Sequence, residues 1–351
     1  MSDAIDIRID GCAGRITLTR PSALNALSYE MCLAIETALE TWRDDARVQL
    51  LVIDALGDRA FCAGGDIAQM YHRGIAGDID FGRRFWADEY RMNAKMFHFP
   101  KPVVSLMQGY TMGGGVGIGC HASHRIVCET TQMALPECAI GLAPDVGSTL
   151  VLARAPGRLG EYLGTTGHRM GPGDAIHAGF ADYFVPRAAW AGLVEHLCAT
   201  GDWNAVDRAA EAAPESPLAA AEAEINLLFG GETIRDVINL LRLSDSALAK
   251  DALAAITRAS PLAVACTLEL VHRARMRDTI EHALEQEYRF SHRAMEDGDF
   301  LEGIRAAIID KDKAPRWRHA GLADVTLAAV AGMLMPLGAA GLKLNLEGWA
   351  S

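Results

Sequence analysis

Two acidic residues, each following a proline, lie in an otherwise apolar stretch of the sequence. Between residues 133 and 147, every position other than Glu137 and Asp145 is apolar, proline or glycine. A carboxylate in such surroundings is costly to ionise unless it is hydrogen-bonded, so its pKa tends to rise. Both acids are therefore candidates for acid–base or nucleophilic chemistry. Two simpler interpretations stay open: a turn residue at Glu137 and a helix cap at Asp145.

Two glycine-rich turns, at residues 61–66 and 113–117, could supply hydrogen-bond donors to such chemistry. Each follows a strand-like apolar run, at 50–53 and 103–107, and precedes a helix-like stretch. Backbone N–H groups at a helix start lack an intrahelical partner, and two of them aimed at one point would stabilise a developing oxyanion. Glycine permits positive φ and a close approach of a ligand to the backbone. Standing alone, the same glycines would also fit two ordinary strand-to-helix turns.

Motifs for several other chemistries are absent from the sequence. It contains no HExxH, GxSxG or GxxxxGK, and the glycines at 113–119 do not fit GxGxxG. His121 and His124 lack a convincing set of further metal ligands, and no histidine has an obvious Ser or Cys partner. We therefore expect no metal site.

The composition favours a large globular protein in a reducing compartment. Half of the 351 residues are hydrophobic, enough for a sizeable core, and the net charge of −12 argues against nucleic-acid or anionic-membrane partners. No run approaches about 18 apolar residues, so no membrane span is predicted. The eight cysteines form no CxxC pair and predict reduced, mostly buried thiols. Because the acidic first segment lacks the features of a signal peptide or presequence, we expect a cytoplasmic location.

The order of predicted elements indicates a mixed α/β fold. Up to about residue 190, pairs of short strands followed by helices recur, without the even alternation of a doubly wound sheet. After about residue 200, glycine thins out and alanine-rich helical patterns dominate, at 209–229, 234–243, 246–259, 262–276 and 279–295. We therefore divide the chain into residues 1–199 and a mostly helical region, 200–351, that packs on it.

Four segments within about the first 190 residues together resemble the crotonase (enoyl-CoA hydratase/isomerase) superfamily. They are RPSALNAL at 20–27, AFCAGGDI at 60–67, GYTMGGG at 109–115 and MALPECAIGLAPDVG at 133–147. The resemblance implies a ββα spiral core that binds an acyl-CoA thioester. It also implies that the N–H groups of Gly65 and Gly114 form an oxyanion hole. The path of adenine and pantetheine would be lined by Leu24, Ala26, Ala63 and Asp66.

One position separates the branches of this superfamily. A hydratase carries two glutamates; the first of their positions is Gly117 here, whereas the second, Glu137, is present. Asp145 and Glu89 instead match the branch of 3-hydroxyisobutyryl-CoA hydrolases, which residues 299–317 also resemble. The resemblance therefore extends over nearly the whole chain and implies hydrolysis rather than hydration.

The implied reaction is hydrolysis of a short 3-hydroxyacyl-CoA thioester, above all 3-hydroxyisobutyryl-CoA, in valine breakdown. Glu137 would attack the thioester carbonyl or activate water. Asp145 would bond the 3-hydroxyl or handle protons, and Glu89 would order polar groups at the pocket. One departure from the branch, Ser148-Thr149 where a further glycine is common, concerns the shape of the acyl pocket.

Two other functions stay open at this point. An enoyl-CoA hydratase would need Glu137 to act without a partner glutamate, and a non-catalytic acyl-CoA-binding protein would keep only the fold. No cofactor is implied, because coenzyme A is part of the substrate, and a homo-oligomer is compatible with the superfamily. Arg20 and Arg59 are candidates for binding the CoA phosphates, although each would equally fit an ordinary solvated arginine.

Overall fold

The N-terminal part of the chain forms two β-sheets whose strands alternate along the sequence. The computed structural model describes residues 4–349, and the nine strands in that range are β1 (Ile5–Asp10), β2 (Ala13–Leu18), β3 (Leu50–Ala55), β4 (Ala60–Cys62), β5 (Val103–Met107), β6 (Tyr110–Met112), β7 (His124–Val127), β8 (Gln132–Ala134) and β9 (Tyr183–Phe184). A six-stranded sheet has the order β1-β2-β3-β5-β7-β9, and a three-stranded sheet has the order β4-β6-β8. Only β1 and β2 pair antiparallel among these neighbours.

Each repeat of the spiral adds one strand to the large sheet and one to the small sheet. The pairs β3–β4, β5–β6 and β7–β8 are consecutive in sequence, yet the first strand of each pair joins the large sheet and the second joins the small one. Helical segments follow the second strand of each pair, so a strand–strand–helix unit repeats. The predicted α/β fold with a ββα spiral core is confirmed.

Sixteen α-helices lie in the same described range. They are α1 (Tyr29–Arg43), α2 (Ile67–Ile75), α3 (Ile79–Phe97), α4 (Gly114–Gly119), α5 (Ser148–Arg154), α6 (Leu159–Thr166), α7 (Pro172–His177), α8 (Trp190–Thr200), α9 (Ala205–Ala209), α10 (Pro217–Leu228), α11 (Ile234–Leu243), α12 (Ala247–Arg258), α13 (Pro261–Met276), α14 (Ile280–Ala294), α15 (Phe300–Ile304) and α16 (Leu327–Met333). Between residues 4 and 349 no single helix is both long and apolar enough to cross a membrane; α12 and α13 reach that threshold only as a pair bent by 116°.

Both faces of the large sheet are covered, because its strands bury alternate residues on opposite sides. Along β3, Leu51 and Ile53 belong to the main core together with the apolar face of α1, whereas Leu50 and Val52 pack with residues of α8. Strands of a parallel sheet that are buried on both faces are expected to be apolar, and residues 50–53 of β3 fit that expectation, whereas the partly buried Asp54 pairs with Arg15.

The C-terminal helices pack directly on the N-terminal part. Helix α13 lies against α5 and α6, and α14 lies against α3 and α5. One hydrophobic cluster therefore contains Leu51 of β3, Leu268 of α13 and Leu284 of α14. The boundary between residues 199 and 200 stays a prediction.

The prediction of one long helix at residues 209–229 is wrong. The chain instead forms α9, which ends at Ala209, and α10, which begins at Pro217. Between them the chain is partly extended, and the N–H of Glu211 donates to Phe184 O at 2.9 Å. Proline lacks the N–H that a helix interior needs and is tolerated in the first turn, so Pro217 starts a helix rather than continuing one.

Candidate active site

The two glycine turns lie side by side at the carboxyl ends of β4 and β6, which are parallel neighbours. Gly64 and Gly113 have φ of +114° and +48°, in the range that favours glycine. A Cβ built on Gly114 would lie 3.5 Å from the backbone nitrogen of Gly65. Gly114 is also the first residue of α4, so its N–H has no intrahelical partner. The two residues predicted to donate to an oxyanion are therefore close neighbours.

A cavity of about 90 Å³ lies beside these turns. Its lining combines both glycine turns with buried acids and large apolar side chains. The acids are Glu89, Glu137 and Asp145, and the apolar residues include Trp86 of α3 and Phe300 of α15. A larger cavity of about 610 Å³, between the large sheet and α8, contains none of these acids. The fold therefore gathers the three acids singled out in the sequence at one small cavity.

Glu137 begins a short 3₁₀ turn, Glu137–Ile140, shortly after β8. Only 4% of the residue is exposed, and its Oε2 has no hydrogen-bond partner among the described residues. Burial and the charge of Asp145 raise the pKa of Glu137 well above its ordinary value. A Cβ built on Gly113 would lie 3.1 Å from Glu137 Oε1. The carboxyl group thus adjoins the second glycine turn and keeps one oxygen unpaired.

Asp145 does not cap the helix that follows it. Helix α5 has Gly147 at its N-cap, whereas Asp145 Oδ2 accepts a 2.7 Å hydrogen bond from Tyr90 Oη. Burial raises the pKa of Asp145 to about 7, although the hydrogen bond from Tyr90 opposes this rise. Asp145 therefore changes charge near neutral pH.

Glu89 reaches the cavity from α3. The residue is 3% exposed, and its Oε1 has no partner within residues 4–349. That oxygen would lie 3.0 Å from a Cβ on Gly114. Burial and the nearby charge of Asp145 raise the pKa of Glu89 well above its ordinary value. The charge of Asp145 therefore disfavours ionisation of Glu89, and a carboxyl group that keeps its proton both donates and accepts hydrogen bonds.

The segment predicted to bind adenine and pantetheine runs beside the first glycine turn. The N–H of Ala63 donates to Leu24 O at 3.1 Å. Arg20 donates to Ala26 O at 2.8 Å and to Asp66 Oδ2 at 3.1 Å. Of the four residues predicted to line the path, Ala63 borders the 90 Å³ cavity, whereas the other three are absent from its lining. Because Asp66 already pairs with Arg20, part of this guanidinium is engaged within the protein.

The position of the first hydratase glutamate, Gly117, has no free space for a side chain. A Cβ built there would lie 2.8 Å from Asn93 Nδ2 and 2.8 Å from Val146 Cβ, closer than real Cβ contacts. Val146 itself has φ of +58°, a strained backbone conformation for a β-branched residue. The space through which a second carboxylate would enter from α4 is therefore filled by Asn93 and Val146.

Three residues around the site were not predicted from the sequence: Tyr90, His121 and Glu287. Glu287 lies on the predicted helix 279–295, on the same face as Ile280 and Leu284. The position of this carboxylate on an apolar helix face was the feature of the sequence from which a buried Glu287 could have been predicted. Tyr90 and His121 gave no comparable signal, because both side chains are common in protein interiors.

No group of three or more His, Cys, Asp or Glu side chains within residues 4–349 is arranged to hold a metal ion. All eight cysteines are free, and seven of them are buried. The polar groups that line the cavity are the carboxyl groups of Glu89, Glu137 and Asp145 and the backbone of the glycine turns.

The sequence matches a known protein family over most of its length. Residues 13–334 match the family described as enoyl-CoA hydratase/isomerase. Among curated proteins, the mitochondrial 3-hydroxyisobutyryl-CoA hydrolase of Xenopus laevis is 38% identical over 346 residues, covering 95% of this chain and 89% of the relative.

Two solved structures are similar over nearly the whole chain. An enoyl-CoA hydratase from Rhodobacter sphaeroides 2.4.1 has a TM-score of 0.94 and 56% identity, covering 97% of this chain and 100% of that one. A carnitinyl-CoA dehydratase from Mycobacterium thermoresistibile has a TM-score of 0.93 and 40% identity, covering 98% of this chain and 99% of that one. The C-terminal helices are included in both matches.

The expected cytoplasmic location is wrong. The curated relatives from Xenopus laevis and Homo sapiens are both named as mitochondrial proteins. Free, buried cysteines indicate a reducing environment, but they do not distinguish one reducing compartment from another. Net charge bears on solubility and association, so it does not encode the compartment either.

Proposed function

Since the chain belongs to the enoyl-CoA hydratase/isomerase family, as its resemblance to that superfamily predicted, we propose that it hydrolyses a short 3-hydroxyacyl-CoA thioester. The substrate is 3-hydroxyisobutyryl-CoA, which water cleaves to 3-hydroxyisobutyrate and free CoA. The observation that carries this proposal is the buried Glu137, which lines the same cavity as the two glycine turns and keeps its Oε2 unpaired among the described residues. The name of the curated relatives supports the same reaction.

The glycine turns provide the electrostatic part of the proposed mechanism. The thioester carbonyl oxygen would lie between the N–H groups of Gly65 and Gly114. Negative charge develops on this oxygen when the carbonyl carbon becomes tetrahedral, and fixed backbone donors stabilise it without reorganisation. Loss of one such donor typically costs about 3–4 kcal/mol of transition-state stabilisation. Because both donors are backbone groups, side-chain substitution at these positions acts by displacing the turns.

Glu137 is the acid that acts on the thioester carbon, by one of two routes. As a nucleophile, its ionised carboxylate forms a mixed anhydride and expels the CoA thiolate, and water then cleaves the anhydride. As a general base, it removes a proton from a water molecule that attacks the carbon directly. Both routes consume one water and yield the acid and CoA. Both also need Glu137 ionised, so activity rises with pH through its raised pKa.

Asp145 and Glu89 supply the polar groups for the 3-hydroxyl of the substrate. Ionised Asp145 accepts a hydrogen bond from that hydroxyl, and neutral Glu89 donates one to it or to a neighbouring oxygen. Both side chains line the same cavity as Glu137. A pocket that bonds a substrate hydroxyl rejects the analogue that lacks it by a large factor, because its buried polar groups are then left unpaired.

Hydration of an enoyl-CoA is the nearest other reaction of the family. It calls for a second carboxylate at position 117, and that position is a glycine packed against Asn93 and Val146. A binding protein without catalysis is disfavoured by the cost of keeping Glu89, Glu137 and Asp145 buried together. The site geometry therefore favours hydrolysis over both alternatives.

The reaction needs no cofactor beyond the CoA of the substrate, because thioester hydrolysis consumes only water. We place the reaction in valine breakdown, the pathway implied by a 3-hydroxyisobutyryl group. A homo-oligomer and the binding of the CoA phosphates by Arg20 and Arg59 stay predictions.

Thiol release from a small acyl-CoA panel tests the proposal. The panel contains 3-hydroxyisobutyryl-CoA, isobutyryl-CoA, which lacks the hydroxyl, and crotonyl-CoA. We expect rapid release from the first, slow release from the second, and neither release nor hydration of the third. Hydration of crotonyl-CoA without thiol release would instead establish a hydratase, and binding without turnover would establish a non-catalytic protein.

Replacement of the proposed catalytic acid gives the sharper result. Glu137→Gln keeps the size of the side chain but cannot attack or accept a proton, so we expect kcat to fall by about 10²–10⁴-fold. Glu215→Gln is the matched control, because Glu215 is exposed on the surface. Near wild-type turnover of 3-hydroxyisobutyryl-CoA by Glu137→Gln would remove this residue from the mechanism.

A further inference from the structure

The turn that carries Asp145 has an unusual backbone. Val146 and Gly147 follow it with φ of +58° and +80°. Glycine adopts such a conformation freely, but a β-branched residue such as valine does so only where its surroundings enforce it. Some contact must therefore hold this turn, and with it the direction of the Asp145 side chain.

Glu287 of α14 makes the contacts that hold the turn. Its Oε2 accepts a hydrogen bond from the N–H of Gly147 at 2.7 Å. Its Oε1 accepts from the N–H of Thr149 at 2.9 Å and from Thr149 Oγ1 at 2.5 Å. The residue is 1% exposed. Since both oxygens accept hydrogen bonds from backbone or side-chain donors, the arrangement suits an ionised carboxylate, even though burial raises the pKa of Glu287 to about 7.

Two further contacts meet the same turn. His121 Nε2 lies 2.7 Å from Val146 O. Tyr90 Oη, which donates to Asp145, lies 3.2 Å from Ser291 Oγ, one turn of α14 beyond Glu287. Helix α14 therefore approaches Asp145 by two routes, through the backbone of the turn and through the tyrosine hydroxyl.

We propose that Glu287 is a positioning residue, which acts through the Gly147 and Thr149 donors to keep Asp145 directed at the acyl pocket. The inference rests on the hydrolase function proposed above. It gives the C-terminal helices a part in catalysis within the same chain. It also gives Thr149, one of the two residues at the Ser148-Thr149 departure, a specific contact: the threonine hydroxyl is a third donor to the Glu287 carboxylate.

Glu287 is absent from the lining of the acyl cavity, so its loss should affect catalysis more than substrate binding. A catalytic group displaced by about 1 Å can lose about 10²-fold in rate. We therefore expect Glu287→Gln to lower kcat by about 10–100-fold while KM changes by less than about threefold. Glutamine cannot replace the carboxylate, because its NH₂ group is a donor and would face at least one of the N–H donors without accepting from it.

The experiment compares Glu287→Gln, Thr149→Val and Thr149→Ser in the full chain with 3-hydroxyisobutyryl-CoA. Thr149→Val removes the hydroxyl but keeps both backbone donors, so kcat should fall less than in Glu287→Gln. Thr149→Ser retains a hydroxyl and should restore most of kcat. Glu285→Gln is the control on the same helix, since Glu285 pairs with Arg289 at the surface. Thermal unfolding of each variant establishes that it is folded.

Full kcat in a folded Glu287→Gln, or the same loss for Thr149→Ser as for Thr149→Val, would overturn the positioning role. Should Glu287→Gln fail to fold, Thr149→Val decides: unchanged kcat contradicts the proposal, and reduced kcat with unchanged KM supports it. Failure of the hydrolase function is a separate observation, because it would be seen as wild-type protein that releases no thiol.

Discussion

At the scale of single residues, the partners of a buried acid decide its charge. Burial raises the pKa of Glu89, Glu137 and Asp145, because no cation within residues 4–349 compensates their charge. Glu161 is equally inaccessible, but the hydrogen bonds and charges of Arg158, Arg275 and His272 outweigh burial and lower its pKa. Raised pKa values are therefore shared by the three acids that line the cavity and by Glu287, which holds the neighbouring turn.

Glu89→Gln should stabilise the protein in alkaline solution. Since the pKa of Glu89 is raised on folding, the native state keeps a proton that the unfolded state loses, and stability falls as pH rises through the native pKa. Glutamine cannot ionise, so it removes this loss. We expect a higher Tm than wild type at pH 8.5, little difference at pH 5, and lower hydrolase activity at both.

Melting curves of wild type, Glu89→Gln and the surface control Glu215→Gln at the two pH values check this expectation. Each kcal/mol gained typically raises Tm by about 2–4 °C in a domain of about 150–250 residues, and the rise should be smaller in this longer chain. An equal change in Tm at pH 5 and pH 8.5 would show that the ionisation of Glu89 does not limit stability.

Sequence reasoning found the residues whose chemistry is local, and missed those that act across the fold. The motifs at 60–67, 109–115 and 133–147 predicted the glycine turns and acids that line the cavity, while their catalytic roles stay predictions. The contacts Tyr90–Asp145 and Gly147–Glu287 span 55 and 140 residues. No spacing in the sequence predicts such pairs, because they depend on how α3 and α14 pack.

At the scale of elements, the glycines of α4 serve close packing rather than flexibility. A Cβ on Gly115 would lie 2.2 Å from Cys62 O, and one on Gly119 would lie 2.5 Å from Met107 Sδ. Both distances are shorter than van der Waals contact, so α4 can lie against β4 and β5 only without side chains at these positions. This close approach brings the start of α4 next to the first glycine turn.

Gly117→Ala should therefore destabilise the protein despite the higher helix propensity of alanine. The added methyl group would meet Asn93 Nδ2 and Val146 Cβ at 2.8 Å, and overpacking of a core typically costs about 1–3 kcal/mol. Displacement of Val146 should also move Asp145 and lower kcat. Chemical denaturation and thiol release measure the two effects.

Gly192→Ala is the matched control for this substitution. Gly192 lies inside α8, and a Cβ there would meet nothing within 4 Å. Alanine should then stabilise the helix by about 0.5–1 kcal/mol. The two substitutions are expected to have opposite signs, and a stabilising Gly117→Ala would mean that position 117 has room for a side chain.

Secondary structure was predictable where the apolar pattern was strong and regular. The strands at β3 and β5, and helix α11, lie close to their predicted positions. Alanine-rich composition misled the prediction across α9 and α10, since alanine favours a helix at every position whereas Pro217 sets where one begins. Pairing of β4, β6 and β8 into a separate small sheet could not be predicted, because three-residue strands carry no periodic signal.

At the scale of the whole molecule, the helices beyond residue 200 share one hydrophobic core with the part of the chain that contains the cavity. The main hydrophobic cluster runs from β-strand residues such as Ile16 to Leu284 of α14. Polar contacts follow the same route: Glu161 of α6 pairs with Arg275 of α13 at 2.8 Å, and Glu287 reaches the turn before α5. Stability of the site should therefore depend on residues in both parts.

Glu161→Gln tests that dependence. The Glu161 carboxylate is inaccessible and accepts hydrogen bonds from Arg158 at 2.9 Å and Arg275 at 2.8 Å. We expect a loss of about 1–3 kcal/mol in the free energy of unfolding at pH 7. Breaking a fully buried ion pair costs more, about 3–5 kcal/mol. The loss is smaller here because both arginine side chains keep about a third of their surface in water.

The contribution of Glu161 to stability depends on pH with the opposite sign to that of Glu89. Because the pKa of Glu161 is lowered on folding, its contribution is present above the unfolded pKa and is lost as pH falls through the native value. The difference between wild type and Glu161→Gln in urea denaturation should therefore shrink at acidic pH. Glu285→Gln, which removes a surface ion pair with Arg289, should cost at most about 0.5 kcal/mol. Equal losses for the two variants at pH 7 would mean that the contact between α6 and α13 does not join the two parts of the chain energetically.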